Sequence, residues 1–145
     1  MMQVPTLDAA DAKILVEAAV AISNSIGVPQ NIAVVDAAGA LLAFHRMDGA
    51  KPFTGDFAIA KAATAAGLRV ATTKLAEIAL PGQRGFGLDS IAGSKVAILG
   101  GGEPVSVAGQ VVGAIGISSG SVHEDTDVAR GAVARFGAHI VDGSD

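Results

Sequence analysis

The 145-residue sequence contains no cysteine, no tryptophan and no tyrosine. Without thiols there are no disulfides, no thiolate metal centres and no cysteine nucleophile. Aromatic residues make up only 3% of the chain, all of them phenylalanine. The core must therefore be assembled from Ala, Val, Ile and Leu, which bury modest area each. Cations are also few: Lys and Arg number 10 against 14 acids, for a formal net charge of -4. They form no cluster and have no rings to interleave with, so a nucleic-acid partner is not expected. No uncharged apolar run reaches the ~18 residues of a membrane span. The opening Met1 to Asp8 lacks the basic and apolar regions of a secretory leader. The expectation is a cytoplasmic protein with no membrane partner.

What is present is small and apolar. Hydrophobic residues reach 50% and the mean hydropathy is +0.51. The length suits a single domain over residues 1–145. A core of short side chains in so apolar a chain points to further burial between subunits, a homo-oligomer of two or more copies.

Hydrophobic spacing and turn residues predict the order α-β-β-α-α-β-β-β-α. Thr6 is placed as the cap of a first helix with Ile14, Ala18, Ile22 and Ile26 along one stripe, ended by Gly27 and Pro29. Asn31 to Asp36 reads as a buried strand, and Ala37-Ala38-Gly39 turns it into a second, Ala40 to Met47. A helix holding Lys61 follows, then a short one capped by Thr72 or Thr73 that stops before Pro81-Gly82. Lys95 to Leu99 reads as a strand broken by Gly100 to Pro104, and Val105 to Ala108 pairs with Gln110 to Ile117 around Ala108-Gly109. Ser121 and Glu124 form a capping box for the last helix, with Val122, Ala129, Val133, Phe136 and Ile140 on its apolar stripe. Paired strands between helices predict an α+β domain with a mostly antiparallel sheet.

Lys61 is the most informative single residue. It is the only charge between Phe57 and Leu68, in a helix apolar nearly all round. An ammonium there must snorkel, pair with an anion or line a cavity. In a cavity it binds an anion or serves as a base. His45 is a candidate general base, axial haem ligand or metal ligand, with Arg46 and Asp48 beside it as ligand contacts. His123 stands at a helix start, where the dipole favours a neutral imidazole. Arg84, on a glycine-rich loop, suits a carboxylate clamp. A metal site from His45, His123 and Asp125 has no local ligand motif behind it, and no metal is expected. Gly100 to Gly102 precede a strand and not a helix, so they make a poor phosphate loop. Gly101 and Gly102 are instead candidates for backbone lining a pocket.

These segments together resemble the GlcG/HbpS-like family. Ala33 to Asp48 is similar to its opening hairpin, and Ala58 to Ala66 to its lysine-bearing helix. Pro81-Gly82, Gly101 to Pro104, Gly113 to Ser118 and Asp125 match its later motifs. The resemblance implies a profilin-like fold with a five-stranded antiparallel sheet flanked by helices, and homo-oligomers. Its members include haem-binding proteins, some labelled haem-degrading, a domain attached to cobalamin adenosyltransferases, and proteins that accompany glycolate utilisation. Two departures stand out: Ser119-Gly120 where two glycines are common, and His123 where Glu or Gln is usual.

The expected function is binding of a small molecule, haem or another anionic ligand. The alternative is a cofactor-independent enzyme acting on a small carbonyl or carboxylate compound. In that reading Lys61, Arg46 and Arg84 hold the anion, with Gly101, Gly102 and Asp125 around it, while His45 or His123 moves the proton. A third reading is an accessory structural oligomer.

Overall fold

The computed structural model describes residues 1–93 and 95–143. Helix α1 (Ala9–Ile26) is capped by Asp8 and not by Thr6: Asp8 Oδ1 accepts from Asp11 N at 2.9 Å, and Asp11 reaches back to Asp8 N. The Thr6 hydroxyl accepts from Ala37 N instead, tying the chain start to the first hairpin. The α1 stripe is also rotated. Ala12, Leu15, Ala19 and Ser23 are its buried residues, while Ile26 is exposed. Ile22 turns toward the last helix, where a side chain at Gly131 would collide with it.

Strands β1 (Asn31–Asp36) and β2 (Leu41–Arg46) form the first hairpin, and β3 (Gly102–Val107) and β4 (Gln110–Ser118) the second. They assemble one antiparallel sheet in the order β2-β1-β4-β3. The sheet has four strands among the described residues, not five. Lys95 to Leu99 makes no ladder, because its backbone is held by a side chain: Ala97 N donates to Thr64 Oγ1 at 2.9 Å. Glu103-Pro104, expected to break the chain, lies inside β3. Proline is tolerated there because β3 is an edge strand. Ala108 and Gly109, both at positive φ, close the second hairpin.

The sheet is covered on both faces. Helices α1 and α4 (Val122–Asp142) pack over Ile32, Val34, Val105, Ile115 and Ile117. Helix α2 (Gly55–Leu68) covers the other face with Ala58, Ala62, Ala65 and Ala66 against Ala33, Val35 and Ala114. Short α3 (Thr72–Ile78) follows it. Ala33, Gly116 and Gly102 stand in register across three strands under α2. A Cβ on Gly116 would lie 2.0 Å from the Ala58 carbonyl oxygen, so helix and strand meet backbone to backbone. No helix among the described residues is long and apolar enough to cross a membrane.

This contact makes an asymmetric prediction about two glycines. Gly116→Val should lower unfolding free energy by about 3 kcal/mol or prevent folding, as overpacking against rigid backbone does. Gly137→Ala, on α4 with open space around it, should raise stability by about 0.5–1 kcal/mol. Urea denaturation of both variants checks this, and a Gly116→Val protein as stable as the parent would mean that α2 is not seated on β4.

Candidate functional site

The apolar packing of α2 carries Lys61 to the end of the sheet where β4 stops and α4 begins. Lys61 and Asp125 are each 3% exposed. Lys61 Nζ donates to the Ile117 carbonyl oxygen at 2.9 Å and to Asp125 Oδ2 at 3.0 Å. The other carboxylate oxygen accepts from Gly120 N at 3.0 Å, and the same N–H is shared with Gln30 Oε1. A buried charge needs such partners, because desolvation of an isolated ion costs several kcal/mol. Burial pushes the Asp125 carboxyl above its ordinary value, outweighing the pull of Lys61 and of the Gly120 N–H.

Gly101 and Gly102 pass directly over this pair. A Cβ on Gly101 would sit 2.6 Å from the Ile117 oxygen and 3.0 Å from Lys61 Nζ. One on Gly102 would sit 2.5 Å from the Lys61 carbonyl oxygen. Gly102 N donates to Thr72 Oγ1, which anchors the crossing to α3. Beside it lies a cavity of about 130 Å³ lined by Phe57, Ala60, Lys61, Ala97, Ile98 and Leu99.

Surrounding polar groups brace the same end of the sheet. Asn31 Nδ2 donates to the Lys51 carbonyl oxygen and to Thr54 Oγ1, and the Ser118 hydroxyl donates to the Thr54 carbonyl oxygen. Lys51 N donates to Ser119 Oγ at 2.8 Å. Ser119, at φ 101, thus takes a conformation usual for glycine while its side chain ties down the loop before α2.

The other sequence candidates do not converge on Lys61. His45 is in register with Ile32, and Ile32 with Ile117, so His45 lies two strands away, roughly 10 Å. Arg46, Asp48 and Arg84 are exposed. The His123 side chain is 87% exposed and pairs with Asp127 across one helical turn at 3.2 Å. No group of three His, Asp or Glu residues suited to a metal occurs among the described residues. A proton relay linking Lys61 to His45 or His123 is therefore not assembled.

His45 belongs to a second feature, a groove of about 590 Å³ between α1 and edge strand β2. Val16, Val20 and Ala43 wall it, with Lys13 and Glu17 at the rim, while the Phe44 ring turns to the other face of the sheet against Gly55. Sequence reading missed this groove and the roles of Gln30 and Gly120. Its one signal was the apolarity of both faces of β2, together with Val16 and Val20 lying off the buried stripe of α1.

A family model described as haem degrading protein HbpS-like matches residues 7–134. The chain belongs to the HbpS-like family. Its fold is similar to the crystal structure of Klebsiella pneumoniae protein ORFY, with TM-score 0.92 and 34% identity over 95% of both chains. It is similar to PduOC, solved as a complex with haem, with TM-score 0.84 and 36% identity over 89% of this chain and 94% of that one. Streptomyces reticuli HbpS, solved as a double mutant, gives TM-score 0.84 and 31% identity over 92% of this chain and 89% of that one.

For this HbpS-like chain the buried pair makes a definite energetic prediction. Lys61→Met leaves the buried Asp125 carboxylate without its counter-charge and should cost about 3–5 kcal/mol. Adding Asp125→Asn should recover much of that loss, and effects that simply add would show the two groups to be uncoupled. The raised carboxyl fixes the pH sign. Folded Asp125 keeps its proton where an unfolded aspartate has lost it, so its stabilising contribution is full below the ordinary aspartate value of 3.8. That contribution falls as pH rises through the raised value. Carboxyl-resolved NMR should place the Asp125 midpoint above 3.8; a midpoint below it would mean that Lys61 dominates burial.

Proposed function

We propose that this chain binds haem, or a flat anionic ring compound of the same kind, in the groove between α1 and β2. The observation that carries the reading is the donor set: the His45 imidazole beside the apolar wall of Val16, Val20 and Ala43, with Lys13 at the rim. An imidazole is a common haem ligand, and an ammonium suits a peripheral carboxylate. The groove, about 590 Å³, falls within the range of cofactor sites. The cavity beside Lys61, about 130 Å³, is too small for a porphyrin. Family relatives support the same ligand class, since HbpS-like proteins are described as haem-degrading and PduOC was solved with haem.

Bound haem would supply an iron centre for ligand or electron-transfer chemistry. The chain's own contribution is to hold it: His45 at the iron, the α1 and β2 side chains against the ring, and Lys13 at an acidic substituent. Lys13 already lies 3.9 Å from Glu17, so it would exchange a weak surface pair for a ligand carboxylate. The proton-transfer alternative is less well supported, because its proposed bases stand apart from Lys61. We also place the protein in the cytoplasm as a homo-oligomer. Exposed Phe53, Phe86 and Ile91 support the second part of that reading.

Hemin titration tests the proposal. Purified protein should saturate at one equivalent per chain with a shifted Soret band. His45→Ala should weaken binding by about tenfold or more, ~1.4 kcal/mol, and change the band position. His139→Gln, at an exposed site on α4, should leave both unchanged. Absence of saturable binding would remove haem as the ligand. Saturation with an unaltered His45→Ala spectrum would move the site out of this groove.

A further inference from the structure

We infer that Phe53 anchors a dimer: in two chains related by a two-fold axis, each Phe53 ring enters the cavity beside α2 of the other copy. The inference rests on the reading of this protein as a homo-oligomer and names the surface that forms it. Phe53 is 83% exposed, more than any other phenylalanine of the chain. Yet its backbone is held on both sides. Before it, Lys51 N donates to Ser119 Oγ, and the Lys51 carbonyl oxygen accepts from Asn31 Nδ2. After it, Thr54 Oγ1 accepts from the same Asn31 amide, and the Thr54 carbonyl oxygen accepts from the Ser118 hydroxyl. Asn31 and Ser118 are buried, so the turn is tied to the interior. Pro52 restricts the backbone further. A ring fixed at its root and left in water loses little freedom when a partner covers it.

The receiving cavity lies one ring away. Phe53 and Phe57 meet edge to face with centroids 6.0 Å apart, and Phe57 lines the cavity with Ala60, Ala97, Ile98 and Leu99. The remaining wall is Lys61, whose nitrogen is taken up by Asp125 and the Ile117 carbonyl oxygen. The space therefore favours an apolar guest. Its volume, about 130 Å³, is close to the ~150 Å³ of a cavity that takes up benzene, which is room for one phenyl ring.

The guest is a second copy because projection and cavity sit side by side on one patch. Such a patch is self-complementary, as a two-fold interface requires. Helix α2 also permits close approach. Ala60 and Ala63 on its partly exposed side are small, and its one charge between Phe57 and Leu68 is the buried Lys61. No like charges therefore meet across the axis. Phe44, whose ring lies against Gly55, extends the patch. The exposed surface of Phe44, Phe53 and Phe57 is together on the order of 300 Å². That is more than a third of the roughly 800 Å² each partner buries in a standard interface.

Sedimentation equilibrium and cysteine cross-linking test this, in a chain with no cysteine of its own. The parent should sediment as a dimer or larger assembly of the 14.3 kDa chain. Phe53→Asp should weaken association at least about tenfold, as loss of a central aromatic anchor does, while keeping the parent circular dichroism spectrum. Ala60→Leu fills the cavity from within. It should weaken association likewise and keep or raise the thermal midpoint. Differently tagged Phe53→Cys and Leu99→Cys chains, mixed under mild oxidation, should form mixed disulfides. Phe53→Cys mixed with Val141→Cys, on α4 across the sheet, should not. A parent that stays monomeric at every concentration would overturn both the inference and the oligomer reading. An oligomeric parent whose association survives Ala60→Leu, or whose Phe53→Cys and Leu99→Cys chains do not cross-link, would keep the oligomer and overturn this surface.

Discussion

The structure depends on how closely α2 approaches β4. Gly116 leaves no room for a Cβ against the Ala58 carbonyl oxygen, and Ala33 and Gly102 flank it in register with little side chain of their own. A chain without large aromatics fills space by bringing backbones together, which recovers dispersion contacts that bulky side chains would otherwise supply. That approach fixes where Lys61 must be. One residue before the buried Ala62, it has no route to solvent, so its charge has to be met inside the protein. The Ile117 carbonyl and Asp125 meet it. The pair in turn fixes the first turn of α4 against the end of the sheet, and Gly120 ties the preceding loop to the same carboxylate.

The sheet separates two environments with different chemistry. At the Lys61 end the charges cancel, solvent is excluded and the adjoining cavity is small and apolar. At the β2 edge the groove is broad and carries an imidazole and an exposed lysine on an apolar wall. A large ring with acidic substituents fits the second environment and not the first.

Much of this arrangement was legible in the sequence. The Ser121–Glu124 capping box is present in both its bonds, and β1 is buried as its unbroken apolar run required. Lys61 stood out because one charge in an apolar helix demands a partner. The identity of that partner was harder to read. Asp125 lies 64 residues away, and nothing local distinguishes it from the neighbouring Glu124 and Asp127, which face outward. The Lys95–Leu99 segment misled because its apolar residues suit a strand equally well as a cover for α2. Thr64, far away in sequence, decides between them by taking the Ala97 N–H.

The separation of Arg46, Arg84 and His123 from Lys61 has one physical origin. Residue type says which groups can bind an anion or move a proton, but only topology says which can meet. Arg46 ends an edge strand, Arg84 sits on an exposed turn and His123 occupies the solvent side of a helix start. In each case water already satisfies the charge or dipole, so nothing pulls the side chain toward Lys61. Lys61 is the opposite case: buried by its neighbours, it cannot use water and must find a fixed partner. Burial thus sorted the candidates: Lys61 and Asp125, which could not remain solvated, are the two that meet.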